Sequence, residues 1–123
     1  LIIIDGPPGT GCTVISSITG AALVLVVIEP TLSGIHDSMR IVEVADHFKI
    51  PSLVCINKYD INPENTERIE EFCKGRGIQI VGMLPYDDTA TRAMIEGKTI
   101  VEFSSGVLSG KIREIWKKIE KEL

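Results

Sequence analysis

The sequence predicts an α/β fold, a three-layer, mostly parallel, doubly wound sheet flanked by helices. Three observations predict it. Four strand-length runs rich in β-branched residues recur, at Leu1 to Ile4, Ala22 to Ile28, Ser52 to Ile56 and Ile78 to Met83. Each is almost continuously apolar, the pattern of strands covered on both faces. Segments with apolar residues at spacings of three and four fill the intervals, and strands alternating with helices in this way form right-handed βα crossovers.

After the first run, Asp5 to Thr13 is a glycine- and proline-rich turn. Beyond the second, Pro30 precedes Thr31 and Ser33, either of which can cap a helix. That helix carries Ile35, Met39, Val42 and Ala45 on one face, widened by Ile41, Val44 and Phe48, and Pro51 stops it. Asn62-Pro63 reads as the cap and first position of another helix. Its Glu64 and Glu67 suit the positive end, its Ile69, Phe72 and Cys73 the buried side, and Gly75 and Gly77 its close. A short helix is expected from about Thr89 to Glu96, closing at Gly97, then a brief extra strand at Ile100 to Phe103. A last helix from about Ser105 puts Leu108, Ile112, Ile115, Trp116 and Ile119 on one stripe.

With 123 residues, 44% hydrophobic and 24% charged, the chain can bury one core, and residues 1–123 are read as a single domain. The net charge of −4 disfavours a general grip on nucleic acid, which needs basic side chains to replace counterions. The longest apolar run, Ala21 to Ile28, is about half the length that crosses a bilayer, and no signal-peptide pattern opens the chain. Cys12, Cys55 and Cys73 form no C-x-x-C pair, which argues against a disulfide framework or a self-contained metal site. A soluble, cytoplasmic protein is expected, with no membrane association. Opening on Leu1 inside an apolar run, the chain reads as a fragment.

In open α/β sheets ligands lie beyond the carboxyl ends of the strands. Gly6-Pro7-Pro8-Gly9-Thr10-Gly11-Cys12-Thr13 matches the phosphate-binding pattern G-x-x-x-x-G-K-[ST] except at the lysine, which is Cys12. A neutral thiol cannot replace that charge. Read instead with the preceding run, four apolar residues ending in Asp5 form a Walker B pattern, whose carboxylate helps hold magnesium. Gly6, Gly9 and Gly11 then belong to a loop that can approach and sense a γ-phosphate, while Pro7 and Pro8 restrict it.

Leu1 to Gly11 resembles the Walker B and switch II segment of the MinD/Mrp/ParA family of P-loop ATPases (the SIMIBI class), commonly D-x-P-P-G-x-G. Cys12, with Val27-Ile28-Glu29-Pro30-Thr31 and Gly34-Ile35-His36-Asp37, looks like the MinD-superfamily ATPases that carry an inserted ferredoxin domain. The resemblance implies that the chain is the C-terminal portion of a P-loop nucleotide-binding domain lacking the lysine loop (Walker A). It implies catalytic roles for Asp5, Gly9 and Gly11, a magnesium role for Asp5, and nucleotide contacts for Gly6, Pro7 and Pro8. ATP and magnesium are the implied cofactors of the intact protein, with an iron–sulfur cluster in the missing part. A nucleotide-dependent homodimer and an iron–sulfur or redox protein are the implied partners.

Asn57-Lys58-Tyr59-Asp60 follows the third run. By resemblance, Asn57 contacts adenine, yet the same residues fit N-K-x-D, in which the aspartate reads guanine, so the base stays open. Pro85 and Asp87, in Leu84-Pro85-Tyr86-Asp87, are weaker candidates beside the base. Glu29, ending the second run, is a secondary candidate that could serve as an acid only if the first loop were a true P-loop. Cys12 is expected to pack as a small residue, Cys55 and Cys73 to lie in the core, and His36 and His47 to lie on the surface. The last helix carries Lys111, Lys117, Lys118 and Lys121, but Glu114, Glu120 and Glu122 dilute that face, so docking on the sheet is preferred to a membrane anchor. The leading expectation is part of an ATP-hydrolysing switch, inactive as this chain alone. The alternatives are a noncatalytic protein-binding domain and a GTPase-like protein in which Asn57 and Asp60 read guanine.

Overall fold

Leu53-Val54-Cys55-Ile56 offers no polar side chain to water, and all four residues are buried in the middle strand of the sheet. The computed structural model describes residues 1–123. In chain order its elements are α1 (Cys12–Ile18), β1 (Val24–Ile28), α2 (Leu32–His47), β2 (Ser52–Asn57), α3 (Pro63–Arg76), β3 (Gln79–Leu84), α4 (Thr89–Ile95), α5 (Ile100–Phe103) and α6 (Val107–Glu122). The sheet is parallel with order β1-β2-β3. Val24 stands opposite Ser52 and Ile28 opposite Ile56, while β2 and β3 pair from Leu53 and Gln79 to Asn57 and Leu84, with one irregularity at Val54/Cys55.

Alternation along the strands sorts side chains into two cores. Val26, Ile28, Val54 and Ile56 pack with Ile35 and Val42 of α2 and Ile69 and Cys73 of α3. Leu53, Cys55 and Val81 face Ile115 of α6 on the other side. The α/β, three-layer expectation therefore holds, and α6 docks on the sheet as expected. Trp116, placed on its apolar stripe, is instead exposed. At Gly82 any Cβ would overlap the side chain of Ile115, so the missing side chain of β3 is what lets α6 approach.

α2 and α3 start where their caps predict. Thr31 Oγ1 accepts the Gly34 amide at 3.0 Å, and Asn62 Oδ1 accepts the Asn65 amide at 3.0 Å with Pro63 next to it. Gly77, at φ +67°, ends α3 in the left-handed conformation that glycine adopts freely. Phe48, expected to widen the buried face of α2, is exposed.

Two expected strands are absent. Leu1 to Ile4 form no strand, are 61% to 88% exposed, and take part in no backbone hydrogen bond. A strand needs a neighbour for its amides and carbonyls, and the chain supplies residues 1–4 with none. Ile100 to Phe103 form α5 because Thr99 and Glu102 close a capping box: Glu102 accepts the Thr99 amide at 2.9 Å while Thr99 Oγ1 accepts the Glu102 amide at 3.3 Å. The T-x-x-E signal outweighed the β-branched composition.

α6 covers β2 and β3 but not all of β1. Val27 is 57% exposed and Leu25 is exposed beside it, leaving an apolar strip on that face. α1 packs only on the α2 side, through Val14 and Ile18 against Ala45 and Ile50.

Candidate functional site

The carboxyl ends of three parallel strands bring together Glu29 to Thr31, Lys58 to Asp60 and Pro85 to Asp87. Lys58 adopts a left-handed conformation, φ +53°, at the turn out of β2. Its Nζ lies 3.1 Å from Glu29 Oε1, tying the ends of β1 and β2. Both side chains are partly exposed, so the pair orients more than it stabilises.

The loop after β2 is anchored from two further directions. Thr66 Oγ1 in α3 donates to the Tyr59 carbonyl at 2.7 Å. The Tyr59 amide donates to the Leu84 carbonyl at 3.1 Å, and Asp60 Oδ1 accepts the Tyr86 amide at 2.8 Å. Asn65 joins the first loop to α3, its Nδ2 donating to the buried Pro30 carbonyl at 3.1 Å. Asp87 Oδ1 accepts both the amide and the hydroxyl of Thr89, at 2.8 and 2.6 Å, and these hydrogen bonds hold its carboxyl below the usual aspartate range. Asp87 thus braces Thr89, the first residue of α4, from outside the helix, and Pro85 lies half-buried between Leu84 and Tyr86.

Asn57, Asp60, Pro85 and Asp87 therefore share one end of the sheet. No hydrogen bond or ion pair joins Asp5 to Gly11 to them. Asp5 is exposed, Gly9 has φ +93°, and no backbone hydrogen bond holds residues 1–10. No group of three His, Cys, Asp or Glu side chains gathers as a metal cage. Magnesium, however, commonly takes one or two carboxylates and completes its shell with water and phosphate oxygens, and Asp5 is an exposed carboxylate with no side-chain hydrogen bond.

Cys12 is exposed, not packed as expected: α1 buries Val14 and Ile18, and a residue two positions before Val14 points away from that face. Cys55 and Cys73 are core residues as expected. Burial pushes the Cys55 thiol up to about 11, and burial with the nearby Glu70 carboxylate raises Cys73. His36 and His47 lie on the surface. Sequence reasoning missed the anchoring roles of Lys58, Asn65 and Thr66. Asn65 and Thr66 follow the Asn62 cap and carried the signal of polar residues on the side of α3 that also holds Ile69, yet their partners come from other loops.

No family model matches the chain. It is 30% identical over 118 residues to the uncharacterized protein MJ0578 of Methanocaldococcus jannaschii, covering 96% of this chain and 39% of that protein. It is 32% identical over 96 residues to the uncharacterized protein MJ0579 of the same organism, covering 70% and 34% respectively. The chain thus spans well under half the length of these curated relatives. Among solved structures it resembles the cell division ATPase MinD of Pyrococcus furiosus, with a TM-score of 0.79 at 21% identity over 97% of this chain and 51% of that one. MinD of Aquifex aeolicus follows at 0.77 and 20%, over 96% and 52%. A chain of the MinC:MinD cell division protein complex of Aquifex aeolicus gives 0.75 and 20%, over 95% and 50%. At such identities the likeness is one of fold, and the fold of this chain is that of about half of a MinD P-loop NTPase domain.

Proposed function

We propose that the chain is the C-terminal part of an ATP-binding, ATP-hydrolysing switch protein of the MinD/Mrp type that works in the cytoplasm. The carrying observation is the conjunction of a fixed strand-end platform, Asn57 to Asp60 against Leu84 to Asp87, with an Asp5-Gly-Pro-Pro-Gly-Thr-Gly loop that no backbone hydrogen bond holds before Gly11, in a MinD-like fold. The platform suits a base, which must be gripped in one orientation. The loop suits a phosphate sensor, which must have two positions to occupy. A strand carrying a lysine-containing phosphate loop, supplied by the rest of the polypeptide, would support Leu1 to Ile4 and complete the grip.

In this reading Asn57 contacts the base, with Asp60, Pro85 and Asp87 around it. Gly6, Pro7 and Pro8 line the phosphates, and Gly9 and Gly11 allow the loop to move. Asp5 orients magnesium, which when bound offsets charge developing on the transferred phosphoryl group. A nucleotide-dependent homodimer and an iron–sulfur protein partner belong to the same proposal; the link to iron–sulfur proteins rests on Cys12 and on Val27 to Thr31.

The test is Asp5→Asn in the full-length polypeptide, with nucleotide affinity and steady-state hydrolysis measured at saturating magnesium. Affinity is expected to stay within about threefold while turnover falls on the order of 100-fold, because the amide keeps the size and loses the charge. Equal turnover in variant and parent would remove Asp5 from the chemistry.

A further inference from the structure

We infer that Asp60 is a positioning residue, whose carboxylate fastens the loop after β3 to the loop after β2, and not a reader of the base. The inference rests on the nucleotide reading above, which leaves open whether Asp60 faces guanine. Two hydrogen bonds join the loops on either side of Pro85: Tyr59 N to Leu84 O at 3.1 Å, and Tyr86 N to Asp60 Oδ1 at 2.8 Å. Pro85 has no amide to give and a fixed φ, so the flanking bonds set its place. Thr66 holds the Tyr59 carbonyl from α3, and the left-handed turn at Lys58 sets the direction in which Asp60 leaves the strand.

A carboxylate that reads guanine places its two oxygens on the two neighbouring N–H donors of that base. Here Oδ1 is directed to the Tyr86 amide, so one of the two carboxylate oxygens is already committed to the backbone of the neighbouring loop. Asp60 in this geometry acts on the base through Pro85 and Tyr86.

Two variants separate the roles. Asp60→Asn keeps an oxygen where Tyr86 needs an acceptor, and Asp60→Ala removes it. Hydrogen exchange at the Tyr86 amide is expected to stay within about threefold of the parent in Asp60→Asn and to accelerate about tenfold or more in Asp60→Ala. In the full-length polypeptide, competition among adenosine, guanosine and xanthosine diphosphates is expected to keep its order in both variants. Asp60→Ala should weaken the diphosphates that bind by a common factor of about ten, and Asp60→Asn should rescue them. A guanine reader would behave differently, since Asn presents a donor where xanthine carries an oxygen: Asp60→Asn would trade guanosine for xanthosine diphosphate. That trade, or unchanged Tyr86 exchange in Asp60→Ala, overturns the inference. Failure of all three diphosphates to bind the parent would instead overturn the nucleotide reading, and the exchange measurement would still decide whether Asp60 fastens the loops.

Discussion

The strand-end loops and the first ten residues carry comparable signals in sequence, yet the structure treats them in opposite ways. Residues 57–60 and 84–89 are held by hydrogen bonds from the neighbouring loop and from α3, over strands whose faces are covered by helices. Residues 1–10 have no backbone hydrogen bond, and four large apolar side chains there face water. Pairing explains the contrast: β2 and β3 pair within the sheet and so set Tyr59 beside Leu84 and Asp60 beside Tyr86, whereas no strand here pairs with residues 1–4. The strand-end loops are fixed by partners within this chain, and residues 1–10 are not.

The comparison breaks most readily at Gly82. Gly82→Val pushes into Ile115 and should lift α6 from the sheet, destabilising the 123-residue chain by about 3 kcal/mol in urea unfolding. Ile115→Ala in the same background should recover part of the loss. If Gly82→Val alone costs nothing, the account of how α6 packs fails.

A smaller loss is expected at Asn65, where alanine leaves the buried Pro30 carbonyl without its donor. Asn65→Ala should destabilise by about 2 kcal/mol and loosen the loop after β1, visible as faster amide exchange at Thr31 to Gly34. Stability and exchange both unchanged would mean that the loops are not coupled through α3.

The smallest effect sharpens the comparison. Ile3→Ser in the isolated chain should change stability by less than about 0.5 kcal/mol, because the side chain is already in water. The same substitution in the full-length polypeptide should cost about 2 kcal/mol or more if residues 1–4 become a covered strand there. Equal effects in the two contexts would contradict the proposed support from the rest of the polypeptide.

The fold was legible where apolar pattern and helix signals agreed. Leu53 to Ile56 could be placed as a doubly covered strand from composition alone, and Asn62-Pro63 and Gly77 marked the ends of α3 through caps that act within one turn. Leu1 to Ile4 carried the same apolar signal, but pairing is a property of neighbours and cannot be read from one strand. At Ile100 to Phe103 strand composition competed with a Thr99/Glu102 capping box, and the box prevailed because its two bonds close locally. The candidate base-site residues were legible because strand ends converge in any parallel sheet. The uses of Asp60 and Asp87 as acceptors for Tyr86 and Thr89 were not, since each depends on backbone direction within a loop.

Strands adjacent in this sheet are also consecutive in the chain, with Val24 opposite Ser52 and Leu53 opposite Gln79. Each pairing closes a loop that contains one helix, and the entropy of closing such a loop rises only with the logarithm of its length. The order β1-β2-β3 can therefore zip in sequence, each strand meeting an edge already formed, without waiting for a distant segment. Leu1 to Ile4 pair with no strand of this sheet, so this zipping leaves them out.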